Sequence, residues 1–221
     1  MPLFQLKYHH TLRVRDLCVR IAQRMSWPEE DVAAAAAVGL LHDVGRFPQI
    51  LDYGHFRDHD SFNHARRSME IVRDGGWLSE CPEDERLAIL GAIDQHNHVA
   101  LAEGLPERAD RLARIIRDAD KIDILMCVFD DLKAQADLTD RMPNPALLAQ
   151  LGMRQPICYA DVKSFPDMLV AWLVWPYDLN YAPSRQILRE SGALGRIFDF
   201  LPDMDVLRQV RQDVETFLRS E

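Results

Sequence analysis

An all-α bundle is the fold this sequence predicts, and three observations predict it. Apolar residues recur at three- and four-residue steps along most of the chain. The period-two alternation of a half-buried strand is almost absent. Proline, glycine and cap-forming residues divide the periodic stretches into helix-sized pieces.

Leu12, Val14, Leu17, Cys18, Ile21 and Met25 share one face and predict a first amphipathic helix, with His10 in its first turn. Ser26-Trp-Pro-Glu29 has the form of a capping box with Pro at an early helical position. It predicts a second, alanine-rich helix running to about His42, whose small side chains let neighbours approach closely. From Val44 to about Asp60 the pattern breaks, with two Gly, a Pro, two His and two Arg. A stretch this long without periodicity reads as a functional loop. Asp60 or Ser61 caps a third helix that runs to Asp74, before Gly75-Gly76. Pro82-Glu-Asp-Glu starts a fourth that ends near His98, with His96 in its last turn. A fifth, from about Pro106 to Leu132, carries Asp120.

Beyond the fifth helix, Thr139 to Tyr159 is irregular, with Pro143, Pro145, Gly152 and Pro156 and a short helix at Ala146–Gln150. Pro166 opens a helix through Trp172 and Trp175, a short helix follows Pro183-Ser184, and a last one spans about Asp205 to Leu218. No repeat and no linker interrupts the chain. The reading is therefore one domain over 1–221, with its core at about 8–130. A helical extension at about 160–221 packs on that core.

Composition narrows the function. With 221 residues, 48% of them hydrophobic, the chain buries a real core and is globular. A net charge of −9 argues against a nucleic-acid polymer as partner, which needs phosphate-neutralising Lys and Arg, but leaves room for a local basic pocket. Cys18, Cys81, Cys127 and Cys158 form no CxxC and read as buried reduced thiols. No signal-type apolar stretch opens the chain, and no apolar run reaches the ~18 residues of a membrane span. The expectation is a cytoplasmic protein with no membrane partner. The C-terminal helices either complete a pocket or form a homodimer interface through apolar faces, and the sequence leaves both open.

The chemistry starts from His42-Asp43 at the end of the alanine-rich helix. Neighbours on a helix diverge by roughly 100°, but at a helix end both side chains can turn toward one point. Such a pair occurs by chance in many chains. Here His10, His64, His96 and Asp120 stand in helical contexts around it and make a candidate metal set. Mixed imidazole and carboxylate ligands suit Fe, Mn, Co, Ni or Zn. Six ligands exceed one open catalytic site and fit two ions with a bridging carboxylate.

At these residues the chain resembles the HD-domain metal-dependent phosphohydrolases. His10-Thr-Leu-Arg-Val14 is similar to the family's first element, Gly39-Leu-Leu-His42-Asp43-Val-Gly45 to its second, and Arg117-Asp-Ala-Asp120-Lys-Ile-Asp123 to its last. His64 and His96 fit the two additional His of the two-metal members. The resemblance covers about residues 8–125. It implies an HD-type helical bundle with additional C-terminal helices and two divalent transition-metal ions, bridged by Asp43. It also implies hydrolysis of a nucleotide or other small phosphate ester by a metal-activated hydroxide.

The chain departs from two branches of that family. Members acting on guanosine tetraphosphate carry Glu-Asp soon after His-Asp, where this chain has Val-Gly-Arg-Phe47. Members cleaving cyclic di-GMP carry a His-His pair and a Gly-Tyr-Pro motif, where this chain has His96-Asn-His98 and no Gly-Tyr-Pro. Two other readings of the same ligand set are a di-iron oxygenase and a nucleotide-sensing module without turnover.

Around the ligands, Arg46, Arg57 and Lys121 are candidate phosphate contacts, Arg as a planar fork and Lys as a point charge. His55 and His59 are candidates to protonate a leaving group. With Asp43, the residues Lys121, Arg46 and His55 make the expected catalytic set. Asp118 and Asp123 read as supporting or surface charges, and Trp172 and Trp175 as core. His9 is the rival of His10, disfavoured by the His-x-x-Arg-Val spacing.

Overall fold

The structure is a computed structural model that describes residues 3–132, 141–157 and 159–220. The described residues are helical, with no strand among them. The chain divides into two compact units, Met1–Asp123 and Ile124–Glu221, and the boundary falls inside a helix. No described helix is long and apolar enough to cross a membrane.

The first unit contains α1 (Leu3–Arg24), α2 (Glu29–Leu41), α3 (Arg46–Tyr53), α4 (His64–Asp74), α5 (Glu83–Gln95) and the first part of α6 (Glu107–Leu132). α1 packs along α2, α2 against α5, and α5 against α4. The α1–α2 approach is close because Gly39 faces α1. A Cβ there would lie 2.7 Å from Arg15 Cα. Ala34, Ala35, Val38, Val14, Cys18 and Ile21 fill the interior around that crossing. At the start of α2, buried Asp31 accepts from Arg108 Nε at 3.0 Å and Arg111 Nη2 at 2.6 Å, tying α2 to α6.

Three local expectations are corrected. Ser26 does not cap α2. It takes a left-handed conformation, φ 55°, and closes α1, with Ser26 N–H donating to Gln23 O and Trp27 N–H to Ala22 O. That is the Schellman pattern of a helix end. Pro28 precedes α2 instead, without a side-chain cap. The stretch Val44–Asp60 is not one loop, because α3 occupies its first half and a short 3₁₀ turn, Asp58–Asp60, its end. Pro48 lies in the first turn of α3, where its missing N–H has no helical acceptor to lose, and Gly54, φ 72°, closes the helix. Finally, the cap of α4 is neither Asp60 nor Ser61 but Asn63, whose side chain accepts from Arg66 N–H at 3.0 Å.

The second unit holds the end of α6, then α7 (Pro145–Leu148), α8 (Phe165–Trp172), α9 (Ala182–Ser191), α10 (Ala193–Phe200) and α11 (Asp205–Arg219). Phe129, Phe165 and Phe200 cluster at centroid distances of 5.5 to 6.0 Å. α8 begins with a true capping box between Ser164 and Asp167. Trp172 is buried and stacks on Trp175 at 5.0 Å, a core contact. Trp175 itself belongs to a 3₁₀ turn after α8. α10 was not anticipated from the sequence. Thr139 and Cys158 lie outside the described residues. Cys18 is buried, whereas Cys81 and Cys127 are half-buried.

Candidate metal centre

The candidate ligands come from five helices of the first unit. His10 lies in the middle of α1 and not in its first turn, because α1 begins at Leu3. His42 is the C-terminal cap of α2, with Asp43 next to it, and His96 is the C-terminal cap of α5. His64 opens α4, and Asp120 lies within α6. All four imidazoles and Asp43 are buried.

Asp43 stands at the middle, its two oxygens serving opposite sides. Oδ2 lies 3.6 Å from both His10 Nε2 and His42 Nε2. Oδ1 lies 3.5 Å from His64 Nε2 and 3.8 Å from His96 Nε2. Asp120 Oδ1 joins the first side, 3.1 Å from His10 Nε2 and 3.9 Å from His42 Nε2. Two groups result, His10–His42–Asp43 and Asp43–His64–His96, each with its donor atoms within 4.8 Å of one another.

The far nitrogen of every imidazole is already committed. His42 Nδ1 donates to Gly39 O and His96 Nδ1 to Ile93 O, both at 2.8 Å. These are the same device, a cap histidine folded back on the carbonyl three residues earlier. His10 Nδ1 meets Asp123 Oδ2 at 2.7 Å and His64 Nδ1 meets Asp58 Oδ2 at 2.6 Å. A carbonyl or carboxylate only accepts, so these bonds put the proton on Nδ1 and turn the Nε2 lone pairs inward. Burial lowers the pKa of His42, and burial with the neighbouring His64 and His42 lowers that of His96 well below the ordinary value. Both rings are therefore neutral.

That donor set fits a metal. The buried Nε2 of His42 has no hydrogen-bond partner, and that of His10 faces the carboxylates of Asp120 at 3.1 Å and Asp43 at 3.6 Å. His64 Nε2 and His96 Nε2 face each other at 3.1 Å. Lone pairs gathered in this way, each costing about 1–3 kcal/mol when unmatched, call for a cation. Asp43 is anionic for the same purpose. Burial opposes its charge, but the Lys7 ammonium, with the Arg46 guanidinium, outweighs burial and holds its pKa well below the ordinary carboxylate range. Supporting acceptors that fix ligand orientation are the usual surroundings of a metal histidine.

The other candidates separate clearly. Arg46 belongs to the centre. Its Nη1 donates to Asp58 Oδ1, Gln49 Oε1 and Phe56 O, its Nη2 lies 3.2 Å from His64 Nε2, and its Nε is 3.6 Å from Asp43 Oδ1. Lys121 runs back along α6 toward Arg117 O at 3.5 Å. His55 is half-buried and its Nδ1 accepts from Arg57 N–H at 3.1 Å, outside the two groups. His59 pairs with Asp60 at the surface and Arg57 with the same carboxylate. His9 and His98 are exposed. Asp118 is buried, and Asp123 is the carboxylate that orients His10 while Arg13 grips it at 2.7 and 2.9 Å.

Sequence reasoning missed Lys7, Asp58 and Gln49. Lys7 Nζ donates to Asp43 Oδ2 at 2.6 Å, and its position three residues before His10 was a readable signal. Gln49 is fully buried and bonds Arg46, Asp58 and Ser61. Nothing in the local pattern separates Asp58 from its neighbours Asp52 and Asp60.

The 3′3′-cGAMP-specific phosphodiesterase 1 of Vibrio cholerae is 30% identical over 121 residues, which cover 53% of this chain. The chain spans only 27% of that relative's length. No solved structure matches. The HD domain is matched over residues 8–125, a stretch that contains every candidate ligand named above. The chain belongs to the HD-domain family.

Proposed function

We propose that this protein is a metal-dependent phosphohydrolase that cleaves a nucleotide or other small phosphate ester at a two-ion centre. The observation that carries the reading is the division of the site by Asp43, one oxygen toward His10 and His42 and the other toward His64 and His96. One carboxylate with a pair of imidazoles on each oxygen suits a bridging ligand. His10, His42, Asp43 and Asp120 would hold one ion, and Asp43, His64 and His96 the other. When bound, two such ions supply Lewis acidity and lower the pKa of a water from about 15.7 toward ~7.

The protein's own residues then have defined work. Gly39 O, Ile93 O, Asp58 and Asp123 hold the four rings in one tautomer and one orientation. Arg46, fixed by Asp58 and Gln49, presents a charged fork beside His64, where charge on phosphoryl oxygens is stabilised. The net reaction joins a water oxygen to phosphorus, breaks the ester P–O bond, and leaves a proton on the departing oxygen. The name of the Vibrio relative supports including cyclic dinucleotides among the substrates tried.

The test is phosphate release by purified protein with Mn²⁺, Fe²⁺, Co²⁺ or Ni²⁺, against nucleotides, cyclic dinucleotides and simple monoesters. A coupled phosphatase reveals diester products. Asp43→Ala is expected to lose activity by at least about a thousandfold, the scale of removing a central charge-stabilising group. Equal turnover by the variant would overturn the proposal. Silence of the wild type with metal bound would favour the oxygenase or the sensor.

A further inference from the structure

Lys7 is the basic residue that the ligand pattern does not explain. It lies one turn before His10 on the same side of α1. Its ammonium donates to Asp43 Oδ2 at 2.6 Å, and its side chain is only 12% exposed. Arg46 stands in the same relation to the other oxygen, at 3.6 Å from Oδ1. Each oxygen of Asp43 thus has two imidazoles and one cation about it. Both cations also rest on one aromatic ring: Lys7 Nζ is 5.3 Å and Arg46 Cζ 5.8 Å from the centroid of Phe56.

With two divalent ions bound, Asp43 would have little to offer an ammonium, and the ions would repel a cation held that close. The Phe56 face keeps Lys7 nearby, since an aromatic quadrupole attracts an ammonium. Asp43, Asp58, Asp120 and Asp123 roughly balance Lys7, Arg13 and Arg46, so bound ions leave an excess of positive charge. An anion between Lys7 and Arg46 offsets it. We propose that Lys7 is a phosphoryl-binding residue, which leaves Asp43 when metal binds and donates to an oxygen of the substrate's phosphoryl group, across Phe56 from Arg46. This is the role that the sequence suggested for Lys121. The inference rests on the phosphohydrolase reading.

The experiment is calorimetric titration of inorganic phosphate into Mn²⁺-loaded full-length protein, with metal content measured on the same samples. Lys7→Met is expected to keep the wild-type metal complement and bind phosphate about 10- to 100-fold more weakly, the range for losing a charge-assisted hydrogen bond. Lys7→Arg, which restores the charge, is expected to recover most of the affinity. Lys7→Met with wild-type phosphate affinity would overturn the inference. Loss of metal from Lys7→Met would also overturn it, making the lysine a support for Asp43. Metal-loaded wild type that neither binds phosphate nor hydrolyses any ester removes the phosphohydrolase reading itself, and Lys7's role with it.

Discussion

Asp123 is the residue whose role most depends on geometry the sequence does not carry. It lies three positions beyond Asp120, so its side chain falls on nearly the same face of α6 and reaches His10 from behind. Its carboxylate receives His10 Nδ1 and both arms of Arg13. Burial works against its charge, but the bonds from His10 and Arg13 hold its pKa below the ordinary value. Asp123→Asn keeps an acceptor and loses the charge. We expect Mn²⁺ affinity to fall about 10- to 100-fold, as is typical for an outer partner of a ligand histidine. Mn²⁺ titration followed by calorimetry measures this directly, and an unchanged affinity would show that the hydrogen bond alone suffices. The six candidate ligands are nominated in the sequence by residue type and order, and the structure brings their side chains together around Asp43. Asp58 and Gln49 were not singled out, because their contacts depend on α3, which the periodicity does not show, and Lys7 carries only the weak signal of its three-residue spacing from His10.

At the scale of elements, local chemistry was misread where one signal serves two ends of the chain's punctuation. Ser26 and Glu29 have capping-box spacing, yet Ser26 terminates α1 with φ 55°. A non-glycine residue in that region costs about 1–2 kcal/mol relative to glycine. Ser26→Gly is therefore expected to raise the melting temperature by about 2–4 °C, measured by scanning calorimetry on metal-free protein. A true N-cap at Ser26 would give no such gain. Pro48 and the flanking glycines hid α3 in the same way, since Pro is a breaker inside a helix and harmless in its first turn. Gly45 is needed where α3 meets α4. Its N–H donates to Ser68 Oγ at 2.8 Å, and a Cβ would lie 2.5 Å from His64 O. The close approach keeps His64 beside Asp43. α10 could have been found, for Ala193, Leu194, Ile197 and Phe198 share a buried face just after Gly192.

At the scale of the molecule, the all-helical class followed from periodicity alone, because helical spacing is repeated too often to be confused with strand alternation. The boundary between the two compact units did not follow. It falls at Asp123 and Ile124, inside α6, where neither Pro nor Gly nor a change in composition marks it. The candidate ligands all precede that boundary, and the span matched by the HD family ends two residues beyond it. In the function proposed for this protein, one carboxylate divides a six-residue centre between two ions. Anomalous scattering from a crystal grown with Mn²⁺ tests it most directly. We expect two peaks, one on either side of Asp43, the first reached by His10, His42 and Asp120 and the second by His64 and His96. A single peak, or one that leaves Asp43 unligated, would contradict it.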